Sequence, residues 1–171
     1  MPITLLAHKP EWPQAFAAEA ARLSGLMADE MLALHHIGST AIPGISAKPI
    51  IDMLMVVRDV DALDRRAQAL LDQGYEAMGE YGIAGRRYFR KSDGAGRRSH
   101  HLHCFAAGSA EVGRHLAFRD YLRSHPDEAQ AYGLLKQALA QRFADDEGAR
   151  YVEGKTDFIR QVLAKAAGPS S

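Results

Sequence analysis

The chain has 171 residues, 47% of them hydrophobic, which suits one domain with a core of its own. Its 21 Lys and Arg residues balance 21 Asp and Glu, and the formal net charge of +0 argues against a broad nucleic-acid-binding face, so a polyanionic partner should be small or locally held. The single cysteine, Cys104, excludes an intrachain disulfide and fits a reducing compartment. Residues 1–10 lack the apolar core and basic lead of a signal peptide, and no apolar stretch is long enough to span a bilayer, so a soluble cytoplasmic protein with no membrane partner is expected. Trp12, Phe16, Ala20, Leu23 and Met27 then recur at helical spacing and predict an amphipathic first helix between Pro13 and residue 32.

Met31 to Ile37 reads as a strand, and Ile50 to Val57 as a second one whose continuous apolar character predicts burial on both faces. Between them lies Gly38-Ser39-Thr40, a turn in which glycine allows close backbone approach and two hydroxyls supplement the turn's N–H groups, a phosphate cradle in outline. Lys48 follows in the loop, placed to offset anionic charge. Asp52, at the mouth of a strand too apolar for the surface, is positioned like a metal-binding carboxylate. The spacing of Gly38, Gly44 and Lys48 is not that of a P-loop, and no Gly-x-Gly-x-x-Gly occurs.

Val60 to Leu71 predicts a helix stopped by Gly74, after which closely spaced glycines punctuate short runs up to Phe105, the texture of strands joined by turns. His101 and His103 alternate on one such strand and so share a face, with His100 and Cys104 on the other. Two imidazoles at that spacing can hold one metal ion, with Asp52 from a neighbouring strand as third ligand. Arg86, Arg87, Arg90, Lys91, Arg97 and Arg98 form a basic run around this hairpin, read either as a solvated face or, with Tyr88 and Phe89, as a grip on a phosphorylated substrate carried by a mobile lid.

From Glu111 onward the chain predicts helix in three pieces, with Pro126 at a helix start and a frayed tail at 168–171. Turning each residue by about 100° sets Arg119, Lys136 and Lys155 within the apolar stripes of their helices. An unpaired buried cation is unfavourable, and convergence of all three with the Ser39 loop on one anion would remove the penalty. The alternative for each is snorkelling or an ion pair.

The block from His36 through Gly38-Ser39-Thr40 and Lys48-Pro49 to Asp52 and Val57 resembles the signature of the GrpB family. The resemblance continues through His101-Leu102-His103, Phe118 to Arg123, His125-Pro126, Tyr132 with Leu135-Lys136, and Tyr151 with Lys155 and Phe158-Ile159, nearly the whole chain. It implies one α+β domain over 1–167: a nucleotidyltransferase-like mixed β-sheet packed with helices, plus a C-terminal helical layer. It also implies a nucleotide or phosphorylated small molecule as ligand, with a divalent metal, magnesium or manganese first and zinc second. Some members are fused to dephospho-coenzyme A kinase, a family-level link to nucleotides or coenzyme A. Gly38, Ser39, Thr40, Lys48, Arg119, Lys136 and Lys155 would hold phosphates, and Asp52, His101 and His103 would hold metal or activate an acceptor hydroxyl. One departure stands out. Nucleotidyltransferases place a second acid two residues after the first, where this chain has Leu54, which favours a mononuclear or histidine-containing site. Three functions follow: nucleotidyl transfer, a non-catalytic nucleotide-binding module, and metal-dependent phosphate-ester hydrolysis.

Overall fold

The computed structural model describes residues 3–144 and 148–168. The tail expected at 168–171 therefore lies, Gly168 apart, outside the described residues. Five strands form one mixed sheet in the order β1-β2-β5-β4-β3, with β1 at Met31–Ile37, β2 at Ile51–Val57, β3 at Glu76–Ala77, β4 at Arg87–Ser92 and β5 at Arg98–Ala106. Only β2 and β5 run parallel; the other pairs are antiparallel. The sequence places residues 50–57 at the sheet's centre. They are interior, but the middle strand is β5, which returns after a long excursion to pair along the free edge of β2.

Side chains alternate along β2 and β5, so each strand serves two layers. Met53, Met55, Val57, Leu102 and Cys104 face helices α1 (Glu11–Leu26) and α2 (Val60–Leu71), packing with Trp12, Leu23, Met27, Leu63 and Leu70 in the main core. Asp59 caps α2 by accepting from the Asp61 N–H. The opposite face carries Asp52, Leu54, His101, His103 and Phe105. Leu54 and Phe105 pack with Ile37 and with Val112 and Leu116 of α3 (Ala110–Ser124), itself capped by Ser109.

The C-terminal region has four helices among the described residues instead of three: α3, α4 (Pro126–Arg142), α5 (Ala149–Gly154) and α6 (Thr156–Ala166). The extra break falls at Lys155, whose N–H bonds back to the Val152 carbonyl in a tightened turn. Gly154 just before it packs on α4 so closely that a Cβ there would meet Leu139 Cδ2 at 2.5 Å and force that side chain to shift. Together α3, α4 and α6 bury Ile42, Leu122, Tyr132 and Val162 in a second apolar cluster, the expected helical layer.

A buried carboxylate pins α1 to the sheet. Glu19, 3% exposed, accepts hydrogen bonds from Tyr75 at 3.0 Å, Lys91 at 2.9 Å and Arg22 at 2.9 Å. Burial works to raise its pKa, but the bonds from Lys91 and Tyr75 outweigh that and leave it lowered. Three more residues of the basic run pair with acids: Arg87 grips Asp64 with two bonds, Arg90 pairs with Glu76 and Arg97 with Asp93. The first two pairs tie β4 to α2 and β3, and the third lies within the β4–β5 turn.

Candidate functional site

The parallel register sets Asp52 directly beside His101, and the pleat brings His103 onto the same face. Asp52 Oδ1 lies 3.1 Å from His101 Nδ1 and 3.4 Å from His103 Nε2. Burial alone would raise the Asp52 carboxyl, but the hydrogen bonds from His101 and His103 more than offset it and hold it well below the usual carboxylate range. Asp52 is therefore an anion. Tyr88 stacks on His103 at 5.3 Å and meets the edge of His101 at 5.6 Å, so its ring orients the histidines instead of standing free for a substrate.

Arg86 adds a constraint. Its Nη1 lies 3.3 Å from His103 Nδ1, and since a guanidinium can only donate, Nδ1 accepts and the ring hydrogen of neutral His103 sits on Nε2, facing Asp52. His101 donates through Nδ1 and keeps a free lone pair on Nε2. The turn at 79–86 is fastened to the site by this contact, with Arg86 also donating to the Glu80 and Tyr81 carbonyls.

Asp52, His101 and His103 offer ligand atoms within 4.8 Å of one another, compact enough for one ion. A carboxylate with two imidazoles suits manganese or zinc better than magnesium, which prefers an all-oxygen shell. Metal binding requires both ring hydrogens to leave the ligating nitrogens. His101 can shift its hydrogen to Nε2 freely; His103 would have to turn an N–H toward Arg86. The donor set fits a metal, with Asp52 and His101 as its better-adapted pair.

The loop before β2 closes the site from above. Ser39–Ala41 forms a short 3-10 helix after Gly38. Thr40 is buried, donates to the Ile50 carbonyl and contacts His36 Nε2, so its hydroxyl braces the loop and is taken up within the protein. Ser39 remains on the cavity wall. Arg119 does not join it. Its side chain turns inward as its helical phase predicts, but its Nη1 donates to the His36 carbonyl at 3.2 Å and the guanidinium pairs with Asp120. Arg123 likewise donates to the Ala41 carbonyl. Arg119 thus ties the end of β1 to α3, with Asp120 as its second partner, and Arg123 ties the loop to the same helix.

The other cations converge. A cavity of about 360 Å³ is lined by Ser39, Asp52, His101 and His103 on one side and by Lys48, Lys136, Tyr151 and Lys155 on the other. Lys48 and Lys155 lie over the Tyr151 ring at 4.5 and 4.7 Å from its centroid, and Lys136 lies 5.0 Å from that of Tyr132. Lys136, 1% exposed, also donates to the Ser46 carbonyl. Among the described residues none of the three has a carboxylate within ion-pair reach. Burial, and then the charges of Lys155 and Lys48, push Lys136 down to about 7. Burial and then Lys48 push Lys155 to about 8, and burial also lowers Lys48. Three mutually repelling ammoniums thus share the cavity with one carboxylate, an excess of positive charge.

Sequence reasoning missed Arg86 and Tyr151 as site residues. Tyr151 was legible only as an apolar-stripe member, and nothing in the basic run marks position 86.

Comparisons with known proteins agree with this architecture. The family model described as GrpB protein matches residues 2–165. The UPF0157 protein YqkA of Bacillus subtilis (strain 168) is 42% identical over 164 residues, 96% of this chain, which spans about half (47%) of that relative. A dephospho-CoA kinase of Mycolicibacterium paratuberculosis is 28% identical over 190 residues, again 96% of this chain but 46% of that protein. Among solved structures, the conserved protein GrpB from Enterococcus faecalis superposes with a TM-score of 0.88 at 39% identity, covering 95% of this chain and 96% of that one. The Cid1 poly(U) polymerase with MgGTP bound superposes with a TM-score of 0.54 at 13% identity, over 80% of this chain and 44% of that one, a likeness of fold alone.

Proposed function

Since the chain belongs to the GrpB family and has a nucleotidyltransferase-like fold, we propose that its cleft binds a nucleotide or a phosphorylated small molecule together with a divalent metal ion. One observation carries this reading: Lys48, Lys136 and Lys155 share a cavity with Asp52 and have no carboxylate partner among the described residues. A polyphosphate against the three ammoniums and the Ser39 turn removes their mutual repulsion and supplies charge-assisted hydrogen bonds. Asp52 and His101, with His103, would hold the metal, whose chemistry there is to neutralise phosphate oxygens. Lys48 and Lys155 are both propped on the Tyr151 ring, which holds their ammoniums beside the cavity.

Nucleotidyl transfer to a small acceptor is the second reading, supported by the likeness of fold to a polymerase. Leu54 favours simple binding or one-metal chemistry over it. That side chain points to the same face as Asp52 yet is fully buried against Ile37 and Phe105, so the usual second carboxylate has neither a residue nor space. Hydrolysis of a phosphate ester at the same metal site is the third.

The test is a thermal-shift screen of nucleoside triphosphates with and without manganese. A ligand that binds only the native state raises the melting temperature by mass action, and the rise should disappear in Lys136→Met and Lys155→Met while persisting in Lys165→Met, a residue that instead pairs with Glu128. A screen with no responding phosphate compound, with or without metal, would sink the proposal.

A further inference from the structure

A second cavity opens on the far side of the Asp52–His103 pair. It occupies about 250 Å³ between α3 and α6, and it shares only Asp52 and His103 with the lysine pocket. Its character is different. Phe118, Ile159 and Leu163 supply apolar walls, and the cavity holds no lysine. From it a groove of about 560 Å³ runs out along α6, continuing past Arg114, Ile159 and Leu163.

His115 is the one polar group of the inner wall not already engaged. Its ring lies 5.8 Å from that of His103 and 6.0 Å from that of Phe105, and among the described residues it has no hydrogen-bond partner. Either ring nitrogen is therefore available to a ligand in the cavity, as donor or acceptor according to the tautomer. The half-buried ring is open to solvent through the cavity, so a molecule that enters must replace the hydrogen bonds solvent can make there. Arg114, at the mouth, is held by Glu111 and so is not the group that an incoming anion would find free.

We propose that this second cavity is a binding subsite for a small hydroxyl-bearing molecule with an apolar or aromatic body, which enters between α3 and α6 and presents its hydroxyl to His115. The body fits: apolar cavities of about 150 Å³ already accept benzene, so the space here takes a ring and a short substituent. The hydroxyl fits as well, because it alone satisfies His115 while leaving the apolar walls dry, whereas an anion would meet the Asp52 carboxylate at the cavity floor. The two cavities thus divide the labour by chemistry, phosphate on the lysine side and an alcohol on the apolar side, with Asp52 and His103 between them. The inference deepens the proposed function and rests on it only in treating the lysine pocket as the seat of the phosphorylated ligand.

Fluorine NMR on the full chain tests it with para-fluorobenzyl alcohol and para-fluorotoluene as probes, with binding of ATP and manganese measured in parallel. The alcohol should bind the wild-type protein about five- to tenfold more tightly than the toluene, the share of one hydrogen bond. His115→Leu should erase that preference, and Leu163→Trp should abolish binding of both probes while ATP affinity stays within about twofold of wild type. If Leu163→Trp fails to fold, Ile159→Phe fills the same space. Lys136→Met should lose ATP and keep the alcohol. Failure of the alcohol to bind, or binding that survives filling of the cavity, overturns the inference; equal affinity for the two probes overturns its hydroxyl assignment. If the alcohol binds as described and no phosphate compound does, the subsite stands and the anion reading of the lysine pocket falls.

Discussion

A Cβ added at Gly38 would lie 2.7 Å from Asp52 Oδ2 and 3.0 Å from Asp52 Cβ, so the glycine of the turn and the carboxylate of the strand are fitted to each other. Gly38 also has φ +73°, where an L-residue is strained. The turn can cross over Asp52 only because nothing projects from it.

Gly38→Ala should therefore do two things at once. Strain and overpacking should lower stability by about 1–3 kcal/mol, and the displaced carboxylate should weaken metal binding well beyond that loss of fold. Denaturant melts and manganese titrations of the same samples check it. A variant that loses stability but binds manganese normally would show that Asp52 is not a ligand.

The lysine cluster predicts a specific pH dependence. With Lys136 lowered to about 7 and Lys155 to about 8, both are charged in acid and neutral in mild base within the native state, while the unfolded chain keeps them protonated to about pH 10.4. The unfolded state then binds more protons between those limits, so the ligand-free protein should gain stability as pH rises from about 7 towards 10. Triphosphate affinity should run the opposite way, falling above pH 7 to 8, with proton uptake on binding in neutral buffer. Calorimetry in buffers of different ionisation enthalpy reads that uptake; its absence would remove the lysines from the contact. Lys136→Met should be at least as stable as wild type at pH 6, because a buried cation is removed.

Asp52→Asn tests the opposite sign. A carboxyl lowered in the native state stabilises fully above the ordinary unfolded pKa of about 3.9 and loses that contribution as pH falls below it. The asparagine variant should lack this part of the acid limb, so its stability should change less than that of wild type below pH 4. It should also lose manganese binding while remaining folded at pH 7, which circular dichroism establishes.

Arg86→Gln separates the two imidazoles. With no guanidinium facing Nδ1, His103 can carry its hydrogen there and turn Nε2 to a metal, and one positive charge leaves the neighbourhood. Manganese or zinc should bind about tenfold more tightly, a difference of about 1.4 kcal/mol. Unchanged affinity would mean that His103 does not ligate at all.

Much of the fold is written in periodicity. Met31–Ile37 and Val60–Leu71 have the bounds their patterns predict, because each is flanked by turn or capping residues and buries a simple face. Asp52 and the alternating histidines lie on one face because period two leaves no other choice. What pattern does not carry is partnership. The inward phase of Arg119 was visible, but its partner is the His36 carbonyl, and a backbone carbonyl has no letter of its own. Arg86 differs from Arg87 or Arg90 only in where the hairpin twist aims it. Glu19 looks like a solvent-facing acid in an alanine-rich helix, and its partners Tyr75 and Lys91 lie 56 and 72 residues further on. The break at Lys155 falls beside Gly154, which packs against Leu139 of α4, a tertiary contact with no local signature.

The parallel pairing of β2 with β5 has a consequence for how this chain acquires its chemistry. Asp52 and His101 touch across 49 residues of sequence, with one helix and two strands in the loop that their contact closes. Such non-local closure is entropically slow, whereas the β1–β2 and β4–β5 hairpins can form from nearby segments. A nascent chain that ends before residue 98 thus has the turn and the carboxylate but neither His101 nor His103. The cleft is a late product of folding, and an anion or metal that occupies it selects chains that have already closed the sheet, slowing their unfolding without hastening their arrival.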